Sequence, residues 1–206
     1  MVFCCLSILF LEMACFMKKL KIDLLIKFLL FLLILFGLWT SLHYTFDVWG
    51  PDSDESSPAM LWQGIHRYGL KFIPSVGYTQ DNWLLSLIPI YFALFFIFGV
   101  NGYIIVLVGW LIFVFSAFLT GYIIKKVINN NISALLGVAL SLFMGIYSYP
   151  LSWIVYSVSH NTTMLWILLD IAIVIWILNT KSFKKKHLYF LLFFTVTFIA
   201  GFSDPW

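Results

Sequence analysis

The sequence predicts an all-α, polytopic membrane protein of about five to six transmembrane helices, with an interfacial helix in the first outer loop. Three observations carry this. Hydrophobic residues fill 63% of the 206 positions and charged residues only 10%, whereas soluble domains are about a quarter charged. The apolar residues come in runs close to the ~20 residues that a spanning helix needs. The lysines fall in clusters beside those runs.

The first element begins with "MVFCCLSILFLEMACF", which is apolar, carries Glu12 and lacks the basic start of a signal peptide. From Met17, "MKKLKIDLLIKFLLFLLILFGLW" has the pattern of a natural start, basic residues before a long apolar run. Residues 1–16 read either as an upstream extension of the reading frame or as a short extra interfacial helix. Residues 17–206 read as the transmembrane domain. Five runs approach spanning length, at about 25–45, 103–124, 132–150, 163–180 and 187–203. A sixth, Trp83 to Val100, is shorter and holds Pro89. One long polar segment, 46–82, lies between the first run and the rest.

Lysine placement sets the orientation. Lys18, Lys19 and Lys21 precede the first run, Lys125 and Lys126 follow 103–124, and Lys181, Lys184, Lys185 and Lys186 lie between the last two runs. With all three clusters in the cytoplasm, 46–82, 151–162 and the terminal "SDPW" face outward. The chain must then cross an odd number of times between 46–82 and Lys125, yet two apolar runs lie there. The short 83–100 run, interrupted by Pro89 and followed by "GVNG", is expected to be juxtamembrane or re-entrant. The alternative has both runs cross and puts Lys125 and Lys126 outside. Lys27 is expected to snorkel to the cytoplasmic surface.

Little soluble-enzyme chemistry is encoded. Cys4, Cys5 and Cys15 are confined to the first 15 residues, so they build no disulfide framework across the chain and no Cys/His metal signature. No Walker motif, dinucleotide fingerprint or HExxH sequence supports an ATP-driven or soluble-cofactor mechanism.

The unusual polar residues gather in the outward segments. Asp52, Asp54 and Glu55 place three acids within four positions. They precede "SSPAMLWQGIHRYG", in which Leu61, Ile65 and Tyr68 share one helical face suited to the membrane interface, with Pro58 in the first turn. Helix capping accounts for one acid or serine there. Three clustered carboxylates repel one another and call for a cation, a base partner or a catalytic role. His160 and Asn161 stand at the mouth of the 163–180 run, as hydrogen-bonding residues or as ligands. Asp170 lies inside that run, where an acid faces a polar contact or another helix. Trp62, Trp83, Trp153 and Trp206 read as an outer aromatic belt.

The stretch "DESSPAMLWQGIHRYGLKFIPSVGYTQDNWLLSLIPIYFALFFIFGVNGY" resembles the first outer loop of GT-C membrane glycosyltransferases, among them the protein O-mannosyltransferase-like family and the lipid A aminoarabinose transferase. The matching elements are Asp54-Glu55, "AMLWQGIHRYG", "GYTQDN" and "FIFG", and the resemblance covers residues 17 to about 165. It implies transfer of a sugar from a polyprenyl-phosphate donor to a lipid, glycan or protein acceptor on the outer face of the cell membrane, in a bacterium the inner membrane. Asp54 would activate the acceptor as a base and Glu55 would support it. Either would hold a divalent cation, Mg or Mn, if the reaction uses one. Asp52, His66, Arg67, Gln80, His160, Asn161 and Asp204 are the implied substrate-binding residues. His160-Asn161 stands where the family usually has a second acid. Members run to several hundred residues, so this chain is expected to be an N-terminal portion. The rival readings are a transporter or flippase-like protein, with Asp170 and the outer acids on a cation path, and a non-catalytic membrane fragment. No internal repeat of the kind common in transporters is visible.

Overall fold

The computed structural model describes residues 2–48, 56–75, 83, 85–147 and 160–203, with side chains for 21–47, 56–75, 83, 85–144 and 162–203. The described residues form only helices: α1 (Val2–Val48), α2 (Ser57–Tyr68) with a following 3-10 segment (Gly69–Ser75), α3 (Ile88–Phe98), α4 (Gly102–Ile128), α5 (Asn131–Tyr147), α6 (His160–Asn179) and α7 (Phe183–Ser203). Four stretches are long and apolar enough to cross a membrane: Lys21–Asp47 of α1, α4, Thr162–Asn179 of α6, and α7. The expected spans at 25–45, 103–124, 163–180 and 187–203 coincide with these. α5, with 17 residues, and α3, with 11, are shorter apolar helices. At 1.5 Å per residue α3 is only about 16 Å long, half of a ~30 Å hydrocarbon core.

α1 runs unbroken for 47 residues, about 70 Å. No helix boundary separates its first turns from the stretch after Met17. Lys27 pairs with Asp23 one turn earlier on the same helix, a local partner that lysine placement alone did not suggest.

α4 is the central helix. In its most apolar window 56% of residues are buried, against 17, 17 and 11% in the other three spans. Close helix approach explains this. A Cβ on Gly121 would overlap Val138 of α5 and stand 3.0 Å from the Ala134 carbonyl. A Cβ on Gly137 would overlap Ile124, and one on Gly37 of α1 would stand 3.1 Å from Leu142 Cβ. Without a hydrophobic force between helices in lipid, such small-residue contacts supply the dispersion that holds a bundle together. Ile34, Val106, Phe113, Ala117, Val138, Ala139 and Leu142 form the resulting core of α1, α4 and α5. Several hydroxyls of these spans are satisfied within their own helix. Ser116 and Thr120 donate to carbonyls four residues back, as hydroxyls in an apolar medium must. The outer faces stay apolar: Leu191, Phe194 and Phe198 of α7 are each more than 60% exposed, a surface suited to lipid and too greasy for water.

The turns are written in asparagine and glycine. Asn101 accepts from the Tyr103 N–H to start α4. Asn129 ends it in the left-handed region (φ 55°), and Asn130 accepts from the Ile132 N–H to start α5. These are positions where Asn is favoured by its short polar side chain.

Cross-helix contacts fix directions. Trp110 of α4 meets Ser41 of α1, and Tyr103 lies 6.0 Å from Phe46, so α1 and α4 are antiparallel. Tyr122 meets Trp176 while Leu165 packs beside Ile105 and Val108, so α4 and α6 are parallel. Trp176 meets Tyr189 and Asp170 meets Thr197, so α7 runs back along α6. Lys27, Lys125, Lys126 and the Lys181–Lys186 group therefore share one end of the bundle. The α2–α3 region sits at the other.

Candidate functional site

The end opposite the lysines is built around a second core. Trp83, Leu87, Tyr91 and Phe95 pack on Ile105, Val108 and Ile112, the first three turns of α4, with Ala59 and Trp62 of α2 and Leu165 of α6 against them. α3 thus lies along the N-terminal half of α4 only, and the Tyr91 hydroxyl reaches the Ile105 carbonyl at 3.5 Å. Trp83 is the anchor. Its N–H donates to the Ser203 carbonyl at the end of α7 (3.5 Å), and its own carbonyl accepts the N–H groups of Ser86, Leu87 and Ile88 that open α3. It holds φ at 46°, uncommon for a bulky residue, and is 2% exposed. Trp83 is therefore not part of an aromatic belt. The anchoring contacts put its ring inside the protein.

α2 is seated on this core through Trp62, whose ring lies 5.1 Å from Phe92, edge to face, and 4.5 Å from His66. Pro58, Leu61 and Gly64 make its buried stripe. Of the expected Leu61–Ile65–Tyr68 face, Leu61 is buried in the protein, Ile65 half-buried and Tyr68 exposed. Gly69 (φ 71°) reverses the chain, and Phe72 folds back over Gly64, occupying the space that a Cβ there would need. Tyr68 then stacks on Phe72, centroids 5.8 Å apart. Ser56 precedes the helix without a side-chain capping bond.

The exposed side of α2 borders an open cleft of about 650 Å³, lined by Met60, Trp62, Gln63, Gly64, His66, Arg67 and Tyr68 with Val100 from the α3–α4 turn. His66 and Arg67 occupy the last turn of α2, where the helix dipole favours cations. Arg67 has no ion-pair partner among the described residues. The lining can hold an anionic group on Arg67 and stack a ring face on Trp62 or Tyr68. Sequence reading singled out His66 and Arg67. It passed over Met60, Gln63 and Gly64, although with Arg67 they recur at i, i+3, i+4 and i+7, the signature of one helical face.

Of the other expected site residues, Asp52, Asp54, Glu55, Gln80 and Asp204 lie outside the described residues. His160 and Asn161 begin α6, and their side chains are outside the described set. In sequence, Glu55 adjoins Ser56 at the head of α2, and Asp204 follows the Ser203 that bonds Trp83. Among the described residues no three His, Cys, Asp or Glu side chains come together as metal ligands. Asp170 is not at this end. Its Oδ2 accepts from Thr197 Oγ1 at 3.1 Å, an interhelical bond between α6 and α7, and its buried Oδ1 has no partner.

No family model matches the chain, and no curated protein or solved structure matches it.

Proposed function

We propose that the protein is a membrane glycosyltransferase, moving a sugar from a polyprenyl-phosphate donor to an acceptor on the extracytoplasmic face of the cell membrane. The observation that carries this reading is the seating of α2. A helix bearing His66, Arg67 and an aromatic-lined cleft follows directly on Asp54-Glu55 in sequence, and it is packed on α3 and α4 at the end of the bundle away from the lysines. On this reading the lysine end is cytoplasmic, α1, α4, α5, α6 and α7 cross the membrane, and α3 does not. A half-length α3 that lines only the start of α4 restores the odd number of crossings that Lys125 and Lys126 require.

The chemistry follows from residue types. Asp54 takes the proton of the acceptor as it attacks the anomeric carbon, and the bond from that carbon to the phosphate oxygen breaks. The lipid phosphate leaves as a stabilised anion, so the demand falls on the base. Glu55 supports Asp54, and a divalent cation held by either would serve the same step. Asp54→Asn keeps size and removes the base, so sugar transfer in native membranes should fall at least ~100-fold. Asp52→Asn should be much milder. Equal transfer by Asp54→Asn and wild type at equal membrane level would remove the reading.

A further inference from the structure

We infer that the lysine end binds the phosphate headgroup of an anionic phospholipid, between the α4–α5 and α6–α7 turns. This is independent of the chemistry proposed for the opposite end. Six lysines lie at this end: Lys125 and Lys126 at the end of α4, and Lys181, Lys184, Lys185 and Lys186 around the α6–α7 turn. Lys126, Lys181, Lys184 and Lys185 are exposed, and none of the six has a carboxylate partner among the described residues. The acids with described side chains lie elsewhere or are spent. Asp23 is taken by Lys27, Asp47 sits by His43 at the far end of α1, and Asp170 is deep in α6, bonded to Thr197.

Orientation by positive charge requires only lysines near the spans, with nothing to join one turn to another. The structure adds an aromatic frame that joins the two turns. The Trp176 indole N–H of α6 donates to the Tyr122 hydroxyl of α4. The Tyr189 ring of α7 lies 5.7 Å from Trp176, and the Lys126 ammonium stands 5.6 Å from the Tyr122 ring centre. Trp and Tyr of this kind belong at the boundary between headgroups and acyl chains. The frame therefore sets the lysines at headgroup depth, with apolar helix surface beneath for the acyl chains. Uncompensated cations near the membrane surface attract anionic lipid, and the gain is roughly fivefold in binding per lysine.

The test uses the purified full chain in phosphatidylcholine nanodiscs, where both faces are accessible and insertion direction does not matter. Brominated phosphatidylglycerol or brominated phosphatidylcholine is added at equal mole fraction, and tryptophan quenching is read. Subtracting Trp176→Phe isolates Trp176. The expected result is stronger quenching of Trp176 by the anionic lipid, half-saturating at a lower mole fraction. Lys126→Gln/Lys185→Gln should weaken that preference by roughly twenty-fivefold, and Lys126→Arg/Lys185→Arg should keep it. Excess inorganic phosphate should not displace the lipid, because the acyl chains also bind. Equal quenching by both lipids, an unchanged preference in the Gln variant, or its loss in the Arg variant would overturn the proposal. Displacement by inorganic phosphate would reassign the site to free phosphate and overturn the lipid.

Discussion

The indole N–H of Trp110 donates to Ser41 Oγ at 3.0 Å, joining α4 to α1 across 69 positions of sequence. Ser41 is 1% exposed, and its hydroxyl in turn donates to the Leu38 carbonyl. One small hydroxyl thereby satisfies a bulky indole between two helices in an apolar medium, and it fixes the register in which Phe46 meets Tyr103.

Ser41→Ala removes the acceptor and strands the Trp110 N–H. Interhelical bonds in membranes are worth about 0.6–1.7 kcal/mol, so the variant should lose about 1 kcal/mol. Trp110→Phe should lose more, because it also removes ring contacts. Once the indole is gone, Ser41→Ala should cost almost nothing more. Thermal unfolding of the four proteins in detergent measures the coupling. Strictly additive losses would show that the bond contributes nothing.

Much of this architecture was legible in the sequence. Spanning helices announce themselves by composition, because lipid demands an apolar surface whatever the helix packs against. Pro89 and the shortness of 83–100 point to a short helix, and α3 has 11 residues. The packing was less legible. Trp83 reads as a belt residue until its N–H meets Ser203, 120 positions later in the chain, and its ring is buried. Periodicity alone could not foresee that Phe72 returns over Gly64. The role proposed for Asp54 and Glu55 rests on the resemblance and on the clustering of the acids in sequence.

Gly121→Ala should destabilise the bundle by about 1–3 kcal/mol. The new methyl overlaps Val138 and presses on the Ala134 carbonyl, which is backbone and cannot rotate away. Val138→Ala should restore part of the loss and not all of it. Gly201→Ala is the control. Nothing lies within 4 Å of its Cβ position, so the gain in helix propensity should leave it neutral or up to about 1 kcal/mol more stable. Denaturation in detergent ranks the three. Equal effects at 121 and 201 would mean that α4 and α5 do not pack this closely.

The proposed orientation predicts a labelling pattern. In a background lacking Cys4, Cys5 and Cys15, Ser57→Cys should react with an impermeant thiol reagent on intact cells, since Ser57 is exposed in the first turn of α2. Lys125→Cys and Lys184→Cys should react only after the membrane is opened. Ser203 is fully buried and makes a poor probe on either side. Labelling of Lys125→Cys on intact cells would mean that α3 crosses the membrane.

The cleft can be tested without touching any residue with proposed chemistry. Gly64→Ala places a methyl inside the volume of the Phe72 ring. Phe72 is half-buried and sits in a short 3-10 segment with no buried residue of its own, so the ring should yield before the helix does. The segment should lift from α2, and Tyr68 should lose its stacking partner. Trypsin should then cut faster after Lys71, which the segment carries, while overall stability should fall by only about 1 kcal/mol, as for a modest overpacking. Gly64→Ala/Phe72→Ala removes the offending ring. It should still cut fast after Lys71, because the segment has lost its anchor, but should recover the stability lost to the clash. If sugar transfer depends on the cleft, it should fall in Gly64→Ala without loss of membrane level. Unchanged proteolysis in Gly64→Ala would show that Phe72 does not hold the segment against α2.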